Sequence, residues 1–400
     1  MNWFKDARYG MFIHWGAYSV AGRGEWVANR ERIARADYER LYAENFRAEN
    51  YDPSAWAALA VEAGMRYVVL TTRHHDGFAL WPTQTTDFHA GRIGPQRDLV
   101  GPFVEAIRAA GLRVGLYFSP ADWFHPDYPG PHFRDWPGPG DWKDSGARER
   151  FIAYYRAQLR ELLTGYGKID YLWFDGCIPE DLQSREANEE VLALQPEMLI
   201  NERNGPPCHV KVSEQAIRAG EPEELWEACL TLNENWGYHP GDTAWKNSAD
   251  VLRMLLRTAS QDGNLLLNVG PRADGSIPEE SAKILRQAGD WLRRNGESIQ
   301  SLIRSPFTWN NWGAITTSES CIYLHLWHRP GPELCVADIA NRVLGARFLD
   351  GGKPIPFEQQ GDRLFLRELS FRDPLVTTVV LEVEGKPATT MAQTNFWIPG

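Results

Sequence analysis

One carboxylate stands at the end of a strongly apolar stretch of the chain. The run Ile169–Phe174 consists almost wholly of β-branched and aromatic residues, which predicts a strand buried on both faces, as in a parallel sheet. Asp175 follows it directly. In α/β barrels the catalytic groups collect at this carboxyl end of the strands. Asp is also common as a cap of a turn or helix, so Asp175 alone leaves both roles open.

Other predicted strands also carry polar or aromatic side chains at or beyond their ends. A mixture of imidazole, carboxylate, indole and phenol groups suits a neutral sugar, because these groups bond to hydroxyls while the rings cover C–H faces. A single histidine at a strand end is more often structural. Four such strand ends on one barrel face favour a shared binding site. The side chains are His14, Glu25, Trp26, His74, His75 and Tyr117.

A metal site is the alternative that the same residue types leave open. His14, His74, His75, Asp76 and Asp175 are of the types that bind metal in barrel hydrolases. The spacing argues against a metal, since adjacent residues on an extended chain point in opposite directions. At most one of the two neighbouring histidines would then reach an ion without a bend. We therefore expect no metal and no cofactor.

Cleavage of a glycosidic bond requires two carboxyl groups, one acting as nucleophile or base and the other as an acid kept protonated by its surroundings. Asp175 is the clear first member of such a pair. Many acidic residues downstream compete for the second position. Glu227 differs from most of them because it lies in an apolar run, Leu225–Leu230, that predicts another strand.

The composition restricts the classes of partner. The chain has 400 residues and a net charge of −11. Phosphate backbones and anionic membranes select basic surfaces, so we expect neither nucleic acid nor membrane as a partner. Five cysteines without a CxxC pair predict neither a disulfide framework nor a zinc site. The sequence shows no apolar leader and no run near the ~20 apolar residues of a membrane span, so we expect a cytoplasmic protein.

Strand-like runs alternate with helical patterns through the first three quarters of the chain. Strands are predicted at 11–15, 67–71, 112–119, 169–175, 198–201 and 264–269, with helices at 53–64, 99–111 and 147–166. This alternation is typical of repeated βα units in an α/β fold. We prefer a (β/α)8-like (TIM-type) barrel to an open sheet. No GxGxxG follows the first strand, and polar groups end several separate strands.

The pattern changes after a helix predicted at Glu279–Asn295. Period-two alternation with turn residues between the segments predicts strands at 321–327, 363–369 and 377–384. We therefore predict two domains. The first is a catalytic barrel over residues 1–304, and the second is an antiparallel β-sandwich over residues 305–400 that packs on it.

Taken together, nine segments of the chain resemble the α-L-fucosidases of glycoside hydrolase family 29. They are WFKDARYGMFIHWG, GEWVANR, YVVLTTRHHDGFALWPT, TDFHA, GLYFSPADW, YLWFDG, LWEAC, NWGYHP and GNLLLNVGPRADGSIP. The resemblance implies a retaining exo-hydrolase that removes terminal α-L-fucose through a covalent fucosyl-enzyme. It also implies an irregular barrel with a C-terminal β-sandwich and no metal. The expected partner is a fucosylated oligosaccharide or glycoconjugate, and a homo-oligomer stays open.

The resemblance also implies roles for individual residues. Asp175 matches the nucleophile of the family. In some members an arginine lies three residues after the Glu of the WE motif; Leu230 holds that position here, which leaves the contact of that arginine open. The matches to the fucose-binding residues are His14, Glu25, Trp26, His74, His75, Tyr117 and Trp173.

The acid/base differs in position among family members, and three residues match one member or another. Glu214 ranks first, because we interpret its segment as a loop whose carboxyl can swing over the leaving-group oxygen. Glu227 ranks second, since a strand residue is better placed to brace the pocket floor, and Asp242 ranks third. The alternative functions are a metal-dependent barrel hydrolase and a fucose-binding protein without turnover.

Overall fold

The computed structural model describes residues 2–129, 142–144, 146–176, 181–307, 310–329, 331–371 and 373–391. Eight parallel strands form its first sheet, in the order β5-β4-β3-β2-β1-β8-β7-β6. A parallel bridge between Asn201 and Val210 joins the two edge strands, so the sheet is nearly closed. The strands are β1 Tyr9–Ile13, β2 Tyr67–Arg73, β3 Arg113–Phe118, β4 Tyr171–Phe174, β5 Leu199–Ile200, β6 Val210–Glu214, β7 Leu225–Thr231 and β8 Asn264–Val269.

Helices surround this barrel unevenly. The connections 201–209 and 215–224, on either side of β6, contain no α-helix, and this makes the barrel irregular. Short helical turns are π-helical at Glu39–Ala43 and 3-10 at Glu202–Asn204 and Gly296–Ile299. The α-helices of the described residues are α1 Asn2–Ala7, α2 Tyr18–Ala21, α3 Val27–Arg30, α4 Arg35–Tyr38, α5 Pro53–Glu62, α6 Val100–Ala109, α7 Ala147–Gly165, α8 Ser184–Leu194, α9 Ser248–Ser260 and α10 Glu279–Asn295.

Local sequence explains where these elements begin and which faces they bury. Every residue of β1, β2, β4 and β8 is buried, as the apolar composition of a strand covered on both faces predicts. The Asp52 carboxylate caps α5 by accepting from the backbone N–H groups of Ser54 and Ala55. Asn247 and Asp250 form a capping box at the start of α9.

Among the described residues, seven further strands follow α10 and form two antiparallel sheets. Their orders are β12-β15-β10-β9 and β11-β14-β13, and the apolar faces of the two sheets enclose a second core. The predicted fold, a TIM-type barrel with a C-terminal antiparallel β-sandwich, is confirmed. The strands are β9 Gly313–Thr317, β10 Cys321–Leu326, β11 Leu334–Val336, β12 Val343–Phe348, β13 Phe357–Gln360, β14 Arg363–Leu366 and β15 Thr377–Val383.

The sandwich packs against the last two helices of the barrel. The buried indole of Trp291 on α10 donates to the carbonyl of Val376 at 2.8 Å. Arg294, on the same helix, pairs with Asp350 and Asp373, each at 2.8 Å. The two cores therefore meet through direct contacts. No helix in the part of the chain that the structure describes is long and apolar enough to cross a membrane.

One prediction about the elements is wrong. Glu214 is the last residue of strand β6, which pairs along five positions with β7, and it does not lie in a loop. The strand was hidden because VKVSE is mostly polar, and only its first residue is buried. Glu227, the second candidate for the acid/base, lies on strand β7, as predicted.

Candidate active site

A small pocket opens at the carboxyl ends of the barrel strands. Its volume of about 120 Å³ is well below the ~300–1,000 Å³ of pockets for drug-sized ligands, and it suits a single sugar ring. A larger cavity of about 960 Å³ lies around residues such as Met65 and Leu112, and no predicted site residue lines it. The residues lining the small pocket are Phe12, His14, Glu25, Trp26, His74, His75, Trp173, Asp175, Arg203, Glu214 and Trp236.

Asp175 is held from two sides. The Tyr117 hydroxyl, at the end of β3, donates to its Oδ2 at 2.9 Å, and Nη1 of Arg203 donates to Oδ1 at 2.8 Å. Nε2 of His75 lies 3.6 Å from Oδ2. Burial alone would raise the pKa of Asp175, but the interactions with His75, Arg203 and Tyr117 outweigh this effect and lower it. Asp175 is therefore ionised and fixed in orientation, as a nucleophile requires.

Arg203 joins two of the three carboxyl groups that line the pocket, Asp175 and Glu214. Its Nη1 binds Asp175, and its Nη2 donates to Oε2 of Glu214. A planar guanidinium presents its donors in a fixed fork, so a bridge of this kind keeps both partners close together. The side chain of Glu214 is 40 % exposed and can exchange protons with solvent.

Glu227, the second candidate for the acid/base, lies beneath the pocket and does not line it. Its side chain is fully buried and accepts three hydrogen bonds of 2.8 Å, from Tyr67, Tyr171 and the indole of Trp173. Burial raises its pKa to about 7. With both oxygens bound inside the barrel, this carboxyl faces protein on every side.

Asp242, the third candidate, organises the loop that follows β7. Its Oδ2 accepts from the backbone of Glu234 and the side chain of Asn235, and its Oδ1 accepts from the backbone of Ala244. Burial would raise the pKa of Asp242, but these hydrogen bonds overcome it and lower the pKa. The residue does not line the pocket. Asp242 is therefore a structural carboxylate that stabilises this loop.

The hydrogen bonds of two pocket histidines define their neutral forms. The amide N–H of Asn268 donates to the Trp236 carbonyl at 2.7 Å, so its Oδ1 accepts from Nδ1–H of His14 at 2.7 Å. The Ser119 hydroxyl donates to a backbone carbonyl and accepts from Nδ1–H of His75 at 2.7 Å. Burial lowers the pKa of both histidines to about 4. Each Nε2 therefore carries a lone pair that can accept from a sugar hydroxyl.

Both adjacent histidines, His74 and His75, line the pocket, because the chain bends where strand β2 ends. Strand β2 ends at Arg73 with a register shift after Thr71, and a turn follows in which Gly77 N–H bonds to the His74 carbonyl. Because the chain bends here, the rings of His74 and His75 lie 4.1 Å apart on the same side. The His74 ring also stacks parallel to Tyr117.

The remaining predicted side chains form the rim. Glu25 is buried and accepts from the backbone N–H of Gly237 at 2.8 Å; burial raises its pKa. The Trp26 ring meets His75 edge-on at 5.4 Å. Six of the seven predicted sugar-binding residues line the pocket, and the seventh, Tyr117, lies behind Asp175.

The donor set does not suit a cation. His74, His75 and Asp175 place potential ligand atoms within 4.8 Å of one another. However, the guanidinium of Arg203 lies 2.8 Å from Asp175 and would repel a metal ion, while Tyr117 occupies the other carboxylate oxygen. These groups fit an ion-paired nucleophile better than a metal centre.

Sequence reasoning missed three residues of the pocket. Arg203 lies two residues beyond the predicted strand 198–201, where a charged residue next to a strand end was the available sign. Arg203 binds Asp175 from the short turn that follows β5. Leu230, at the position where some members of the resembled family have an arginine, is buried on β7. Trp236 stands in the segment NWGYHP, and Phe12 is an inward-facing residue of β1.

A parallel barrel that presents two bridged carboxylates in a sugar-sized pocket defines a glycoside hydrolase. The family model described as Alpha-L-fucosidase matches residues 1–297. The chain therefore belongs to the α-L-fucosidase family, which is glycoside hydrolase family 29.

Relatives of known activity resemble the chain over most of their length. The tissue α-L-fucosidase of Macaca fascicularis is 32% identical over 366 residues, covering 82% of this chain and 75% of the relative. Isoenzyme 1 of the α-L-fucosidase from Paenibacillus thiaminolyticus superposes with a TM-score of 0.88 at 37% identity, covering 96% of this chain and 98% of the other. A family 29 enzyme from Bacteroides thetaiotaomicron, trapped as a covalent intermediate with 2-fluoro-fucosyl fluoride, superposes with a TM-score of 0.86 at 27% identity, covering 96% and 95%.

Proposed function

We propose that this protein hydrolyses terminal α-L-fucosides with retention, using Asp175 as nucleophile and Glu214 as acid/base. The observation that carries the assignment is the Arg203 bridge, which binds one carboxylate through each terminal nitrogen. Of the three acid/base candidates, Glu214 alone lines the pocket. The size of the pocket limits binding to one ring, which fits an exo-acting enzyme on a fucosylated oligosaccharide or glycoconjugate.

In the first step, an Asp175 oxygen attacks the anomeric carbon while the bond to the leaving oxygen breaks. Glu214 transfers its proton to that oxygen, and the aglycone departs as an alcohol. The product is a fucosyl ester of Asp175. Tyr117 and Arg203 hold the carboxylate for this attack by binding its two oxygens.

In the second step, Glu214 takes a proton from water, and the water oxygen attacks the same carbon while the bond to Asp175 breaks. Two inversions give net retention. Esterification removes the charge of Asp175, so Arg203 then faces the Glu214 carboxylate alone.

Recognition of the sugar relies on two neutral histidines and on the groups around them. The Nε2 lone pairs of His14 and His75 accept from ring hydroxyls, while the Glu25 carboxyl offers a further polar contact at the rim. Phe12 and Trp236 give the pocket an apolar wall, with ring centroids 6.0 Å apart, that suits the 6-methyl group of fucose.

The test of this function combines product analysis with variants of the acid. NMR of the first product should show α-L-fucose before mutarotation. Glu214→Ala should lower kcat/KM for fucosides with poor leaving groups by about 10²–10⁴-fold, with a far smaller loss on activated aryl fucosides. Asp242→Asn is the matched control, and its loss should not depend on the leaving group. Initial release of the β-anomer, or leaving-group dependence in the control alone, would contradict the assignment.

A further inference from the structure

We propose that Glu227 is a positioning residue that orients Trp173 and, through this ring, the two groups that hold the nucleophile. The proposal rests on the function proposed for Asp175. It gives Glu227 a task in the reaction without contact with the sugar or with the reacting atoms.

The carboxyl of Glu227 connects three strands inside the barrel. Its Oε1 accepts from the hydroxyl of Tyr171 and from the indole N–H of Trp173, both on β4, and its Oε2 accepts from the hydroxyl of Tyr67 on β2. All three distances are 2.8 Å, and all four residues are at most 2 % exposed. An apolar residue at position 227 would leave three buried donors without a partner.

Trp173 in turn contacts both hydrogen-bond partners of the nucleophile. The Tyr117 ring stacks on it with centroids 5.6 Å apart and planes 16° from parallel. On the side of Arg203, the guanidinium carbon lies 5.1 Å from the centroid of the indole. Tyr117 and Arg203 then bind the two oxygens of Asp175. A tilt of this one indole would therefore displace both partners of Asp175 together.

The indole of Trp173 is buried, and the hydrogen bond from its N–H to Glu227 fixes its orientation about the side-chain torsions. A glutamine at position 227 keeps a carbonyl oxygen for Trp173 and Tyr171, and its amide N–H₂ can donate to the hydroxyl oxygen of Tyr67. The positioning role thus predicts that glutamine replaces glutamate well.

An acid/base role predicts the opposite, since glutamine cannot transfer a proton. The experiment therefore compares Glu227→Gln, Glu227→Ala and Trp173→Phe on a pair of fucosides with good and poor leaving groups. Asp170→Asn is the matched control. Asp170 is a buried carboxylate just before β4, at the opposite end of the strand from Asp175, where it bonds to Arg113 and the backbone of Val114.

Glu227→Gln should lower kcat/KM by less than about tenfold. Glu227→Ala and Trp173→Phe should each lower it by about 10- to 100-fold, the effect of leaving a buried hydrogen-bonding group without its partner. The loss should be equal on both substrates and should appear mainly in kcat. Glu227→Ala combined with Trp173→Phe should lose little more than the worse single variant, because both remove the same link. Asp170→Asn should keep the wild-type kinetics.

Three results would overturn the inference. The first is a loss in Glu227→Gln as large as in Glu227→Ala, and the second is a loss restricted to the substrate with the poor leaving group. The third is unchanged kinetics in Trp173→Phe. This third result can be obtained even if Glu227→Ala fails to fold. The wild-type enzyme separates the two proposals. If the wild-type enzyme releases no fucose from the aryl substrate, the proposed function is wrong. If its turnover is normal and any of the three results is observed, only the proposed role of Glu227 is wrong.

Discussion

Asp175 and Glu227 are both carboxyl groups of one barrel, yet their pKa values move in opposite directions. Burial favours the neutral form of each. Around Asp175 this effect is overcome by His75, Arg203 and Tyr117, and the pKa is lowered. Around Glu227 burial prevails over three neutral donors, and the pKa rises to about 7. Residue type alone therefore does not assign the roles; the direct ion pair of Asp175 with Arg203 separates them, since Glu227 is bound by hydroxyl and indole donors.

The histidines set the acid limit of activity. Because burial lowers the pKa of His14 and His75 to about 4, both keep their Nε2 lone pairs down to that pH. As the pH falls through about 4, each ring gains a proton and can no longer accept from a hydroxyl. We expect the pH profile of kcat/KM for an aryl fucoside to fall on its acid side near pH 4. An acid limb near pH 6.5, the range of an exposed imidazole, would contradict the neutral, buried assignment.

At the scale of elements, strand ends position the site, and this much was predictable. The apolar run before Asp175 indicated β4, and the rule that barrel chemistry collects at carboxyl ends placed His14 and Tyr117 beside it. The sequence did not reveal that β6 is a strand, because a polar edge such as VKVSE is recognisable only through its pairing with β7. Nor did it reveal Arg203, whose role depends on β5 lying beside β4.

The bend after β2 depends on one glycine. Gly77 has a φ of +76°, and a Cβ at this position would lie 2.2 Å from Oδ1 of Asp122. Gly111 has a similar φ of +73° but open space around the added Cβ, so Gly111→Ala is the matched control. Both variants incur the ~1–2 kcal/mol cost of left-handed backbone, and only Gly77→Ala adds the clash. In urea unfolding we expect Gly77→Ala to lose at least ~1 kcal/mol more stability than Gly111→Ala. Equal losses of stability in the two variants would show that the contact between the added Cβ and Asp122 is relieved without destabilising the protein, and would contradict this prediction.

At the scale of the whole molecule, the sandwich supports the barrel through α10. Ala314 of β9 and Val376 next to β15 belong to the same apolar cluster as the barrel residues. The shared cluster and the Arg294 ion pairs lead us to expect that barrel and sandwich unfold together. None of the sandwich residues that the structure describes lines the pocket.

Trp291→Phe tests this coupling, because it removes the indole bond to the Val376 carbonyl between the domains. Trp226→Phe is the control, since it removes an indole bond to the Gln261 carbonyl within the barrel. Each change should lower the free energy of unfolding by about 1–3 kcal/mol. In calorimetry both variants should shift one shared transition, and the kcat/KM of folded Trp291→Phe should match the wild type. If calorimetry showed two separate transitions and each variant shifted a different one, the domains would unfold independently.

The central claim is that Asp175 forms a covalent bond to the sugar, and one measurement tests it most directly. Asp175→Gly should abolish hydrolysis of an activated α-L-fucosyl substrate, because no nucleophile remains. Added azide can enter the vacated space and attack the anomeric carbon once, so the account predicts β-L-fucosyl azide, the inverted product, by NMR. Normal turnover by Asp175→Gly, or an azide product with retained configuration, would contradict the account.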